Sequence, residues 1–176
     1  MKPWITLTLA ALLSGCVGIP QGVQPVRDFE LARYLGQWYE IARLDHSFER
    51  GLSRVSAEYQ RRDDGGITVI NRGYREADNQ WTSAEGKAYF VNEPDQAYLK
   101  VSFFGPFYGS YVVFDIDRND YQYAFVSGPT LNYLWLLART PTVDEKVIER
   151  FIEAANARGF DTDQLIFVSH TAPQAE

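Results

Sequence analysis

Cysteine occurs once in this chain and histidine twice. The lone Cys16 excludes an intramolecular disulfide. His46 and His170 lie far apart and neither has metal-ligand spacing to a second donor, so no metal site is expected. A Gly-x-Ser-x-Gly elbow and a glycine-rich phosphate loop are both missing, which removes the usual marks of a serine hydrolase or a nucleotide-binding protein. Carboxylates are plentiful, but no pair is marked out for acid–base work, and the acids at 63–64 and 117–120 have the character of turns. These absences predict neither catalytic residues nor a cofactor. The formal net charge is −6, and an acidic domain is a poor match for nucleic acid. Beyond Cys16 no apolar run approaches a membrane-spanning length. No internal repeat or low-complexity segment occurs.

What the chain has in excess is rings. Aromatic residues make up 15% of it, within an apolar share of 45%. Large rings are economical for filling or lining a β-barrel, and the length suffices for one domain with a substantial core.

The N-terminus carries a separate signal. Lys2 supplies a positive charge, residues 4–13 are almost wholly apolar, and Ser14 and Gly15 place two small side chains before Cys16. The run has the length of a secretory h-region and is too short to span a bilayer. A cysteine directly after such a site resembles the lipobox of bacterial lipoproteins. That resemblance implies export, removal of residues 1–15 and acylation of Cys16. Each buried methylene contributes about 0.8 kcal/mol, so a multiply acylated cysteine holds a membrane firmly. Val17 stands where inner-membrane lipoproteins typically carry Asp, which favours the outer membrane of a Gram-negative cell.

Residues 16–27 hold the lipid-bearing cysteine and a proline- and glycine-containing tether. Asp28 is placed to cap a helical turn through Tyr34, with Gly36 ending it. Turn signals then recur about every dozen residues, as an up-and-down all-β chain requires. They separate eight expected strands: 38–44, 53–61, 67–75, 81–91, 97–104, 108–115, 121–126 and 133–139. Thr142 and Glu145 have capping-box spacing for one amphipathic helix, whose apolar stripe is Val147, Ile148, Phe151, Ile152 and Ala155. Gly159 supplies its stop. A last short strand falls at 165–169, followed by a loose tail at 171–176.

Three motifs carry a second resemblance. Gly36-Gln37-Trp38 follows a short helical turn, Asp120-Tyr121 sits at the sixth-to-seventh strand turn, and Arg139 closes the eighth strand before Thr140-Pro141. In this order and spacing they resemble the three signatures of the lipocalins. With the lipobox, and with the runs 103–109 and 133–141, the chain is similar to the bacterial outer-membrane lipocalins. The resemblance implies a domain over 28–170. Its fold would be all-β, an eight-stranded up-and-down antiparallel lipocalin β-barrel with one C-terminal α-helix packed outside. It also implies a structural role for Trp38 and Arg139, with the guanidinium lying over the indole at the closed end.

With Arg139 facing inward, period 2 turns Leu137, Trp135 and Tyr133 inward as well. The family pattern points Leu99, Val101 and Phe103 the same way, and Val69, Asn71, Ala57 and Tyr59 are further candidates. Gly86 and Ala88 are small and would leave cavity volume open. Parity on the sixth and seventh strands stays open. Such an apolar, ring-lined cup suits an acyl chain. The expected partners are a long-chain fatty acid or a lysophospholipid, and a membrane reached through acylated Cys16, for lipid storage or transport in envelope maintenance. Arg54, Arg72, Arg75 and Lys100 are expected as solvated surface charges. One alternative is a filled-barrel interaction lipoprotein, with exposed Tyr108 and Tyr111 on a homodimer face. Another is a lipocalin-fold enzyme acting on a bound lipid or pigment, with Asn71 or Tyr59 as first suspects.

Overall fold

Each hairpin turn leaves its two flanking strands side by side, so consecutive strands follow one another round a ring. The computed structural model describes residues 17–171. The leader, Cys16 and residues 172–176 lie outside the described residues. Helix α1 (Leu31–Tyr34) leads into β1 (Gly36–Arg43), β2 (Leu52–Arg61), β3 (Ile67–Arg75), β4 (Gln80–Phe90), β5 (Tyr98–Ser102), β6 (Gly109–Ile116), β7 (Tyr123–Ser127) and β8 (Leu134–Ala138). Helix α2 (Glu145–Asn156), a 3-10 turn at Thr162–Gln164 and β9 (Ile166–Phe167) complete the order. Strands β1 to β8 pair antiparallel with their sequence neighbours, β1 closes the barrel by pairing with both β2 and β8, and β9 adds to β1. Every expected strand is present, with its ends moved by at most two residues.

Period-2 alternation divides the apolar residues into two layers. The inner layer includes Trp38, Tyr59, Val69, Leu99, Val113 and Leu137. The outer layer includes Ile41, Val112, Phe114, Phe125, Leu136, Phe151 and Ala155, and lies between the wall and α2. Phe151 of α2 meets Phe125 edge-on, with ring centroids 5.1 Å apart. The open question of parity is thereby resolved: Tyr111, Val113 and Ile116 of β6 face the inner layer, as do Ala124 and Val126 of β7. A register shift between Val113 and Asp115 lets β6 keep that assignment across a break in its alternation.

Three local expectations are corrected. The N-cap of helix α1 is Glu30, which makes no side-chain capping bond, while Asp28 sits at φ 55. Helix α2 is capped by Asp144, whose carboxylate accepts from the Lys146 amide at 2.9 Å, so its cap falls two residues after Thr142. The stretch before α1 is no free tether. Val23 and Val26 are buried, the Val26 amide donates to Val113 O at 2.9 Å, and Ser110 Oγ donates to Gly18 O at 2.6 Å. Their apolar side chains have a wall to cover, and that gain outweighs the entropy of a loose segment.

Candidate functional site

The barrel is closed below and open above. At the closed end Trp38 is fully buried and its indole donates to Tyr34 O at 2.7 Å. The Arg139 guanidinium lies 3.9 Å from the Trp38 ring centroid and donates to the carbonyls of Gln37 at 2.8 Å and Arg33 at 2.6 Å. One side chain thus ties α1, β1 and β8 together over the plug. Gly36 turns into β1 at φ 90, which its missing Cβ allows.

Above the plug lies a cavity of about 920 Å³, within the range of small-ligand sites. Eleven of the twelve expected lining residues border it: Tyr133, Trp135, Leu137, Leu99, Val101, Phe103, Val69, Asn71, Ala57, Tyr59 and Ala88. Gly86 does not. A Cβ there would fall 2.7 Å from Ser102 O and 2.8 Å from Phe103 Cδ1. Its missing side chain makes room for the Phe103 ring instead of enlarging the cup. Tyr111 also departs from expectation, because its hydroxyl points inward and bonds Tyr34 and Tyr59. It therefore offers no exposed dimer face. Arg72 and Arg75 stand at the mouth as cavity-wall residues. The Arg54 guanidinium is not a solvated charge: it packs 3.5 Å from the Tyr74 ring centroid.

The mouth is rimmed by three rings from two loops, β1–β2 and β5–β6. Phe48 is 63% exposed, Phe104 78% and Phe107 68%, and all three border the cavity. Phe48 stacks on Tyr133 with centroids 5.9 Å apart. Its loop is fastened by Arg43, which is buried and donates to Glu49 O at 3.0 Å and Leu52 O at 3.2 Å.

A polar cluster inside the cup went unread in the sequence. β1 alternates until Glu40, then slips by one residue, so that Glu40 opposes Leu137 and Ala42 opposes Leu136. Because of this bulge at Ile41, both Glu40 and Arg43 turn inward. Arg43 Nη1 donates to Glu40 Oε1 at 2.6 Å. Glu49 folds in from the β1–β2 loop. Its Oε2 accepts from Trp135 Nε1 at 3.1 Å and lies 2.9 Å from His46 Nε2. Burial, then the neighbouring Glu49 charge, holds the Glu40 carboxyl well above its ordinary range, with Arg43 opposing. Glu49 is also buried, yet its bonds from His46, Glu40 and Trp135 keep it below its ordinary value. Of the two carboxyls, Glu40 is therefore the one that holds its proton more readily and Glu49 the one that ionises first. Period 2 from Trp38 could have found Glu40, but the bulge hid Arg43, and a loop residue such as Glu49 leaves no periodic trace. Among the described residues no group of three His, Cys, Asp or Glu side chains is placed to hold a metal ion.

The architecture and the sequence both have relatives. The family model described as a lipocalin-like domain matches residues 29–170. The outer membrane lipoprotein Blc of Vibrio cholerae is 62% identical over 168 residues, covering 96% of this chain and 98% of that protein. The outer membrane lipoprotein Blc of Escherichia coli is 53% identical over 149 residues, or 85% of this chain and 84% of that one. Among solved structures, insecticyanin of the tobacco hornworm Manduca sexta superimposes with a TM-score of 0.67 at 22% identity, covering 88% and 87% of the two chains.

Proposed function

The chain belongs to the lipocalin family and is an outer-membrane lipoprotein of it, and from that premise we propose that its cup holds a long-chain fatty acid or lysophospholipid for storage or transport in envelope maintenance. The observation that carries the reading is the 920 Å³ cavity, walled mainly by apolar side chains and closed at one end. It also speaks against a barrel filled by its own side chains.

The mechanism is burial. An acyl chain entering between Phe48, Phe104 and Phe107 slides along Val101, Leu99 and Trp135 towards Leu137. Each methylene taken from water stabilises the complex by about 0.8 kcal/mol. The headgroup stays at the mouth, where Arg72 offers charge to a carboxylate or phosphate beside Arg75, which pairs with Asp78 at 3.3 Å. The acylated Cys16 would keep that mouth near its source of lipid and raise the effective concentration. The first described residue, Val17, is already held against the barrel, its carbonyl accepting from the Tyr98 hydroxyl.

Residues 17–176 carry every strand and both apolar layers, and so fold without the leader. With lipid stripped from this domain, titration by palmitate and then by palmitoyl lysophospholipid should give saturable one-site changes in tryptophan emission. Binding of neither at micromolar concentration overturns the reading.

A further inference from the structure

The floor of the cup contains three tyrosines that the acyl-chain reading leaves unused. Tyr34 comes from α1, Tyr59 from β2 and Tyr111 from β6, and all three border the cavity. Tyr111 stands in the middle: its hydroxyl oxygen lies 2.6 Å from that of Tyr34 and 2.7 Å from that of Tyr59. Tyr34 stacks at a tilt on the Trp38 plug, with centroids 4.7 Å apart, which places the group at the bottom.

Hydrogen-bond arithmetic leaves this cluster open. Each hydroxyl has one proton to donate and two lone pairs. Two bonds join three hydroxyls, so two protons are used and one is not. Among the described residues no acceptor takes the third. A buried donor at an apolar wall is costly without a partner, so the floor favours a ligand that brings an oxygen to it.

Which oxygen follows from charge. Burial raises the pKa of all three hydroxyls, so they stay neutral donors. A carboxylate would need a cation here. Arg139 is spent on Trp38 and on backbone carbonyls. Arg43 is spent on Glu40 and the β1–β2 loop. Glu49 and Glu40 also act on Tyr59 as like charges would, raising its pKa, so this end of the cup disfavours a further anion.

We propose that Tyr34, Tyr59 and Tyr111 form a polar subsite that takes a neutral oxygen, hydroxyl or carbonyl, carried towards the methyl end of a long acyl chain. The inference rests on the acyl-chain reading, with the headgroup at the mouth. It makes the cup selective for oxygenated chains over their unmodified parents.

The test compares octadecanoate with its hydroxy derivatives, the hydroxyl placed at carbon 2, at mid-chain and near the methyl end. On the stripped domain a distal hydroxyl should bind about three- to tenfold tighter than the parent, the worth of one hydrogen bond. A hydroxyl at carbon 2 should give no gain. The triple variant Tyr34→Phe, Tyr59→Phe and Tyr111→Phe keeps the rings and leaves no orphaned donor. It should lose the preference, so that the distal hydroxy chain binds no tighter than the parent on the same variant, whatever the absolute affinity of either. If that variant fails to fold, the positional series on the unaltered domain still decides. A parent that binds while no hydroxylated isomer binds tighter overturns the subsite alone. If neither parent nor derivatives bind, the acyl-chain reading itself fails.

Discussion

Two tryptophans in one barrel have different work. Trp38 is wholly buried under Arg139, outside the cavity, whereas Trp135 borders it. Trp38→Ala should therefore cost about 3–5 kcal/mol of stability, as for other large buried rings. The fraction that stays folded should bind ligand nearly as before. Trp135→Ala should weaken ligand binding about tenfold, from the apolar surface lost, with a smaller loss of stability. Denaturant midpoints and titrations on both variants check this division, and equal stability losses with unchanged affinity would contradict it. Glu40 supports a pH prediction. Its folded pKa lies above the ordinary 4.5, so in that window the folded state binds more protons than the unfolded one. The Glu40 contribution to stability is then present at low pH and falls as pH rises through the folded value. Glu40→Gln keeps an acceptor for Arg43 and removes the proton. Urea midpoints measured from pH 5 to pH 9 should fall less steeply for Glu40→Gln than for the parent chain. Parallel curves would show that Glu40 is already ionised.

At the scale of elements, irregularities decide which side chains meet the cavity. The slip at Ile41 admits Arg43 to the interior, and missing volume at Gly86 admits the Phe103 ring. Gly86→Ala should displace that ring or part β4 from β5, lowering the thermal midpoint without enlarging the cup. An unchanged midpoint would mean that the strands yield freely. Phe151 packs in the outer layer. Phe151→Ala should thus cost about 3–5 kcal/mol and leave ligand affinity within twofold, whereas a binding loss beyond about that size, with the fold intact, would tie α2 to the cup. The same contrast marks what the sequence made legible. Turn residues and alternation are local signals, so the eight strands and α2 could be read from the chain, whereas the parity of β8 also needed Arg139 placed inward by the family pattern. The Arg139–Trp38 stack followed from the family pattern. The Glu40–Arg43–His46–Glu49 cluster could not, because it needs a bulge and a folded loop, both set by tertiary packing. Tyr111 was misplaced for a related reason: β6 is apolar on both faces, and alternation alone cannot choose between them.

For the whole molecule, two concentric apolar layers separate stability from binding. The outer layer under α2 can hold the barrel shut while the inner layer leaves space at its centre. In the proposed reading the ring-bearing mouth, the wall and the plug are the entrance, sides and floor of one path for an acyl chain. The most direct test is affinity against chain length, using unmodified fatty acids of ten to eighteen carbons on the stripped domain. Burial in the cup predicts roughly tenfold tighter binding for each added pair of methylenes, levelling once the chain fills the barrel. Trp135→Ala should lower the whole series. Affinity independent of chain length, or a series that Trp135→Ala leaves untouched, would contradict a ligand held inside the barrel.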